Sequence, residues 1–217
     1  LREPLKKAVE YMFTVRKGFR RPVSRIKVFI LPYSLGPKVW GEEVNPYTHS
    51  PYMQFNGPLM MKQKDTSVLR DNLMLTAVHE LFHVVQSRYT YYDSNDYLWF
   101  YEATALALED EAGVYYMSQS PPWANTWPRT FSGYEAFIRS LDYTGGNEKQ
   151  LQAHGYSASY FVNYLKDKYY KPDKLTFLPA LLKHFGGWRS GPITSLYGVF
   201  SKDPAFLEDA YLSYCSK

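Results

Sequence analysis

The sequence of 217 residues predicts an α+β protein, in which a small mixed α/β N-terminal part precedes a mainly helical C-terminal part. Two observations support this class. Strand-like patterns occur only before residue 65, in residues 24–32 and 58–64. From residue 65 onward, the apolar residues recur with the period of a helix. We therefore expect a single domain, composed of an α/β subdomain over 1–88 and a mainly helical subdomain over 89–217.

The N-terminal elements follow from apolar periodicity and from turn residues. "EPLKKAVEYMFTVRKGF" predicts an amphipathic helix that ends at Gly18, and "SRIKVFILP" predicts a buried strand over 24–32. Residues 33–57 are rich in Pro, Gly, Tyr and Asn and predict a loop. "PLMMKQK", residues 58–64, predicts a short edge strand, because a leading proline and flanking lysines are typical of sheet edges.

The C-terminal elements are helices separated by short breaks. "DTSVLRDNLMLTAVHELFHVVQSRY", residues 65–89, predicts a long helix with Asp, Thr and Ser as cap candidates. After the polar loop 90–96, residues 97–116 predict a second helix whose alanines allow close packing. A loop rich in Pro and Trp covers 118–133. The remaining helices are predicted over 134–142, 156–169, 174–185, 191–200 and 204–214.

Charge and cysteine content exclude several classes. Residues 1–30 hold nine Lys and Arg against two Glu, but no nucleic-acid-binding motif accompanies them, so we expect a solvated helix face and no nucleic acid partner. No apolar run of about 18 residues and no signal peptide are present, so no membrane span is expected. The single cysteine, Cys215, cannot build a disulfide framework or a thiolate cluster. Any metal must therefore be held by His, Asp or Glu.

The segment "TAVHELFHVVQ", residues 76–86, is a candidate metal site. His79 and His83 are four residues apart, and on a helix they lie about 40° apart around the axis, so both can reach one metal ion. Glu80 is displaced by about 100° and can face an open coordination position without binding the metal. Two ligands beside a base are the arrangement that a hydrolytic zinc site requires.

A catalytic zinc site needs a third protein ligand. A histidine six residues after His83 is excluded, because that position is Tyr89. Glu102 in "WFYEATA" follows His83 after the 18 residues 84–101, a length that lets a second helix return alongside the first. A glutamate among small and apolar residues is costly to bury without a partner, and a metal is such a partner.

"HELFH" followed after 18 residues by "WFYEATA" resembles the gluzincin group of zinc metallopeptidases. The resemblance covers residues 56–165 and implies a zincin-like catalytic domain, with His79, His83 and Glu102 as ligands of Zn²⁺ and Glu80 as the general base. It implies a peptide or protein substrate, held by backbone pairing to an edge strand. The predicted strand stands there, which makes Pro58, Leu59, Met60 and Met61 candidate substrate-binding residues.

The resemblance has two departures. "FNGPLMMKQ" lacks the glutamate with which the aminopeptidases of the group bind a free amino terminus, which favours an endopeptidase. The aspartate that orients a zinc histidine in thermolysin-like enzymes is replaced by Leu106, and Glu109 and Asp110 are the candidates for that role.

A donor for the developing oxyanion is expected on a later helix, in "AHGYSASYFVNYL". We expect Tyr156 to act there, with His154 second and Tyr160 third, since Gly155 would free the backbone where this helix begins.

Two alternatives stay open at this point. The chain can be a catalytically inactive zincin-like binding or adhesion domain, whose aromatic loops 89–101 and 118–133 contact partners. It can also be a structural helix pair without a metal. An intact Glu80 argues against a binding domain, because such a domain needs no base. The sequence favours an extracellular or cell-envelope location and a domain excised from a longer chain, and it leaves oligomeric state and substrate preference open.

Overall fold

A computed structural model describes most of the chain, in two compact units, Leu1–Arg88 and Tyr89–Lys217. The described residues form helices and one three-stranded sheet, which confirms the predicted α+β class. Among them, no helix is both long and apolar enough to cross a membrane. The predicted helix over 134–142 and the loop over 118–133 lie outside the described residues. The structure describes residues 1–44, 51–89, 97–117, 147–185, 192–200 and 204–215.

The first unit begins with helix α1, Arg2–Glu10, which continues into a π-helical turn over Tyr11–Val15. Their buried side chains recur every three or four residues, and α1 packs against the later helix α3, Thr66–Gln86. This confirms the predicted amphipathic N-terminal helix. The buried side chains of this face include Ala8, Tyr11 and Met12.

The sheet contains β1 (Lys27–Leu31), β2 (Gly41–Val44) and β3 (Tyr52–Asn56). Its strand order is β1-β3-β2, with β3 parallel to β1 and antiparallel to β2. The loop predicted over 33–57 is therefore wrong, because β2 and β3 lie within it. Both strands are short, and "GEEV" has no apolar run. The surrounding Pro, Gly and Asn residues therefore favoured a loop in the sequence pattern.

The strand predicted over 24–32 is present as β1, but its predicted burial is wrong. Phe29 is 46% exposed and Ile30 is 55% exposed. Among the described strands, β1 pairs only with β3 and lies at an edge of the sheet. An apolar run shows that a strand can be buried, and it does not show which position the strand takes in the sheet.

The edge strand predicted over 58–64 is wrong, because Gly57–Lys62 is a helix, α2. The side chain of Asn56 caps it by accepting a hydrogen bond from the Leu59 amide at 3.1 Å. Pro58 lies in the first turn, where its missing N–H costs nothing and its fixed φ suits a helix. Pro58 therefore belongs to the start of a helix, and not to a sheet edge. The candidate substrate-binding residues Pro58, Leu59, Met60 and Met61 do not form a strand, and Met61 is 86% exposed.

The long helix α3 confirms the prediction for residues 65–89. Its N-cap is Asp65, whose carboxylate accepts hydrogen bonds from the amides of Ser67 and Val68 at 2.8 and 3.2 Å. The second half of α3 is almost entirely buried. It packs against α1, β2 and β3, and so forms the centre of the first unit.

The second unit is built on α4 (Leu98–Met117) and α5 (Glu148–Tyr169), which pack against each other. Helix α5 begins with a capping box between Asn147 and Gln150, eight residues before the predicted start at 156. A 3₁₀ turn and three further helices follow, which confirms the remaining helical predictions. These elements are Lys174–Thr176, α6 (Phe177–Phe185), α7 (Pro192–Phe200) and α8 (Pro204–Cys215).

Polar contacts fix α4 against α5. Lys166 of α5 is buried and forms an ion pair of 2.7 Å with Glu111 of α4. Asn163 lies one turn away on α5; its side chain accepts from Lys166 at 2.9 Å and donates to Asp110 at 3.5 Å. A buried ion pair favours one register of the two helices, because a shift of one turn would leave both charges buried without each other.

Candidate metal centre

His79 and His83 lie on the same side of α3, one turn apart. Their ring centroids are 4.8 Å apart and the rings are inclined by 77°. His79 is buried and His83 is half-buried. The neighbouring side chains Val78 and Phe82 are fully buried, and Phe82 packs edge-on against Phe19 at 5.4 Å. This packing fixes the rotation of α3, so the two imidazoles share one direction.

Glu102 lies in α4, among the buried small residues Ala103 and Ala105. Its turn is contacted by Gly155, in the middle of α5. A Cβ at position 155 would lie 2.5 Å from the carbonyl oxygen of Trp99 and 2.7 Å from the Cβ of Glu102. The expectation that Gly155 marks the start of a helix is therefore wrong. Glycine is required because the two helix backbones approach each other at the turn that carries Glu102.

Gly155→Ala is expected to lower the free energy of unfolding by about 1–3 kcal/mol, because the added methyl group would meet backbone atoms that cannot move aside. The sign of the change in unfolding free energy is diagnostic, because alanine in an open helix interior is more stable than glycine by about 1 kcal/mol. The displaced α4 turn should also weaken metal binding at Glu102. Thermal unfolding and zinc titration test both effects, with Ser157→Ala on the same helix as the control. A more stable Gly155→Ala variant would contradict the close approach.

The structure brings His79, His83 and Glu102 together. One ligand atom from each lies within 4.8 Å of the other two. Ligands at ~2.0–2.2 Å from one tetrahedral ion are separated by roughly 3.4 Å, so small side-chain rotations would close the group around an ion. Two imidazole nitrogens and one carboxylate oxygen, with Glu102 and His79 buried, are a donor set that fits a divalent metal. The group could hold a metal ion.

Glu80 faces the edge strand β2. Its Oε2 accepts a hydrogen bond of 2.7 Å from the backbone N–H of Glu43. One turn earlier, a Cβ on Gly41 would lie 2.9 Å from the Cγ2 of Thr76. Four residues of helix advance about 6 Å and two residues of strand about 6.6 Å, so Thr76 lies over Gly41 and Glu80 over Glu43. The strand thus fixes the position of the Glu80 carboxylate.

Two contacts in the first unit were missed from the sequence. The Glu43 amide was hidden because β2 was predicted as loop. Gln86 places its Oε1 2.7 Å from Nδ1 of His83, and its spacing of three residues on one helix could have revealed it. Of the expected orienting carboxylates, Asp110 accepts from Asn163 of α5, while Glu109 is buried in α4.

The candidate oxyanion donors lie on α5 near Gly155. His154 is buried, with its ring centroid 5.8 Å from that of Trp99, and Tyr156 is half-buried. Tyr160 is half-buried next to the carboxylate of Asp110. Burial, and secondarily the negative charge of Asp110, raise the pKa of Tyr160 to about 12. The raised pKa keeps the Tyr160 phenol neutral. We expect Tyr160 to be a packing residue, and the roles of Tyr156 and His154 stay predictions.

Comparison with known proteins identifies no family for this chain. The chain matches no protein-family model, no curated protein and no solved structure. The resemblance to gluzincins therefore rests on the spacing of His79, Glu80, His83 and Glu102 and stays a prediction.

Proposed function

We propose that this protein is a zinc-dependent peptidase that cleaves peptide bonds within unstructured protein segments. The observation that carries the proposal is the grouping of His79, His83 and Glu102, with Glu80 directly after His79 in the sequence. Three protein ligands with one open position are typical of catalytic zinc, whereas structural zinc sites use four, mostly with cysteine. The sequence has one cysteine, Cys215, near its C-terminal end.

Zinc would supply Lewis acidity, which lowers the pKa of a bound water molecule to about 7. Glu80 is the residue that moves the proton. The Glu43 amide holds the Glu80 carboxylate in position, and a carboxylate held in this way can accept the proton of the attacking water. Glu80 then gives that proton to the leaving amine, so the base returns to its starting state.

The position of β2 supports an extended substrate. Among the described strands it is at the sheet edge opposite β1, and the Glu43 N–H points away from β3 toward Glu80. A peptide lying along this edge would run past the general base and would pair with backbone groups of β2 other than the Glu43 N–H, which Glu80 already binds. We therefore assign substrate pairing to β2, and not to residues 58–64, where the sequence predicted an edge strand. The missing amino-terminus-binding glutamate favours internal cleavage.

Tyr156→Phe is expected to lower kcat by roughly ten- to a thousand-fold, because the phenol would donate to the oxygen that becomes negatively charged in the transition state. Metal content and thermal stability should not change. Tyr160→Phe is the matched control on the same helix, and its kcat should equal that of the wild type. An unchanged kcat in Tyr156→Phe, together with a large loss in His154→Ala, would move the role to the histidine.

The proposal is tested by incubating the full chain with an unstructured protein such as casein, with and without a zinc chelator. Cleavage that stops with chelator and returns with added zinc supports a zinc peptidase. Zinc-loaded protein that cleaves no peptide bond in a panel of such substrates would contradict it. That outcome would favour the alternative of an inactive binding or adhesion domain.

A further inference from the structure

We infer that Gln86 is a positioning residue for the metal centre, and that it holds His83 in the tautomer whose Nε2 can bind the ion. The inference rests on the proposed metal site and adds a member to it. In thermolysin-like sequences an aspartate after the third ligand is expected to orient a zinc histidine, and that position is Leu106 here. The sequence offers Glu109 and Asp110 as candidates for that role, and the structure adds Gln86.

The contact between Gln86 and His83 determines which imidazole nitrogen of His83 carries the hydrogen. Gln86 Oε1 lies 2.7 Å from Nδ1 of His83. A carbonyl oxygen only accepts hydrogen bonds, so Nδ1 must carry the hydrogen. In a neutral imidazole the other nitrogen, Nε2, then keeps its lone pair, and a lone pair is what a metal ligand needs. The contact thus selects one of two tautomers that would otherwise both be populated.

The surroundings of Gln86 keep this contact in place. The side chain is 2% exposed, so water competes little for its amide oxygen. It is the last residue of α3, and the next residue closes the turn: the Ser87 amide donates to the His83 carbonyl at 3.1 Å, and the Ser87 hydroxyl donates to the Val84 carbonyl at 2.8 Å. The backbone between His83 and Gln86 is therefore fixed at both ends.

A neutral amide differs from a carboxylate in this place. The centre already holds the carboxylates of Glu102 and Glu80, and a third negative charge would lower the electrophilicity of the ion. Gln86 orients the imidazole without adding charge. The same contact also lowers the entropy lost on metal binding, because the ring of His83 is already restrained before the ion arrives.

The test uses the full chain and three variants. Gln86→Met keeps the length of the side chain and removes the acceptor. Gln86→Glu keeps an acceptor and is the conservative rescue. Ser87→Ala alters the same turn without touching Nδ1 and is the control. The first readout is the tautomer of His83 in metal-free, ¹⁵N-histidine-labelled protein, at a pH where imidazoles are neutral. The second is the affinity for cobalt(II), followed by its visible absorption.

The wild type and the Gln86→Glu and Ser87→Ala variants should show His83 protonated at Nδ1, and Gln86→Met should show a mixture or the opposite tautomer. Gln86→Met should bind cobalt about 10- to 100-fold more weakly, and the two other variants close to the wild type. A wild-type His83 protonated at Nε2 would overturn the inference, even if Gln86→Met fails to fold. Wild-type affinity in a folded Gln86→Met variant would also overturn it. Absence of peptidase activity in protein that binds cobalt would count only against the proposed function.

Discussion

Replacing Glu80 by glutamine is expected to abolish peptide hydrolysis, with a fall in kcat of at least about 10²–10⁴-fold. The amide keeps the size of the side chain and can still accept the hydrogen bond from the Glu43 N–H, which is 2.7 Å long in the wild type. It cannot take a proton from the attacking water, so the loss isolates proton transfer from folding. Because Glu80 is not a ligand, the metal content should not change.

Glu42→Gln is the matched control for this experiment. Glu42 lies one position earlier on β2, and its carboxylate accepts a hydrogen bond from the side chain of Gln54 on β3. Glu42→Gln removes one negative charge from the same region, as Glu80→Gln does. Its kcat should stay within about twofold of the wild type. If Glu80→Gln cleaves protein substrates at the wild-type rate while its metal content is unchanged, Glu80 is not the base.

Glu102→Ala is expected to weaken zinc binding by orders of magnitude, as are His79→Ala and His83→Ala. A site with three protein ligands loses its chelate geometry when one of them is removed, and the two remaining imidazoles bind divalent metals far more weakly. The Glu102 variant is the informative one, since its assignment depends on α4 and not on the histidine motif. Zinc affinity measured by competition with a coloured chelator gives the loss directly.

Glu109→Ala is the control for Glu102→Ala. Glu109 is also a buried glutamate of α4, and two turns of helix place it on the same side as Glu102. Zinc affinity should fall by no more than about 10- to 100-fold on its removal, which is the loss expected for a residue that only orients a zinc histidine. If Glu109→Ala or the equivalent change at Asp110 loses the metal while Glu102→Ala retains it, the third ligand has been assigned to the wrong residue.

The long helices and the ligand group could be predicted from the sequence because their signals are local. Apolar periodicity over about 20 residues predicted α3 and α4, and the spacing of His79, His83 and Glu102 predicted that they meet. The identity of the ion and the reaction stay predictions.

The features that were missed depend on packing between elements. The strands β2 and β3 are four and five residues long, and their pairing partners are not visible in the local pattern. Proline at 58 is compatible with both a sheet edge and a first helical turn, and only the cap from Asn56 decides between them. The sequence predicted that Gly155 marks a helix start. The glycine is instead required by the close approach of α4, and this tertiary contact is not visible in the local sequence.

The most direct test of the metal centre is the zinc content of the purified full chain after loading and exhaustive dialysis. The wild type should hold about one zinc per chain, and the double variant His79→Ala, His83→Ala should hold essentially none. X-ray absorption of the zinc-loaded wild type should show nitrogen and oxygen ligands at ~2.0–2.2 Å, with the scattering pattern of imidazole rings. A wild-type chain that retains no zinc at micromolar concentrations, or a double variant that retains as much as the wild type, would contradict a metal centre at His79, His83 and Glu102.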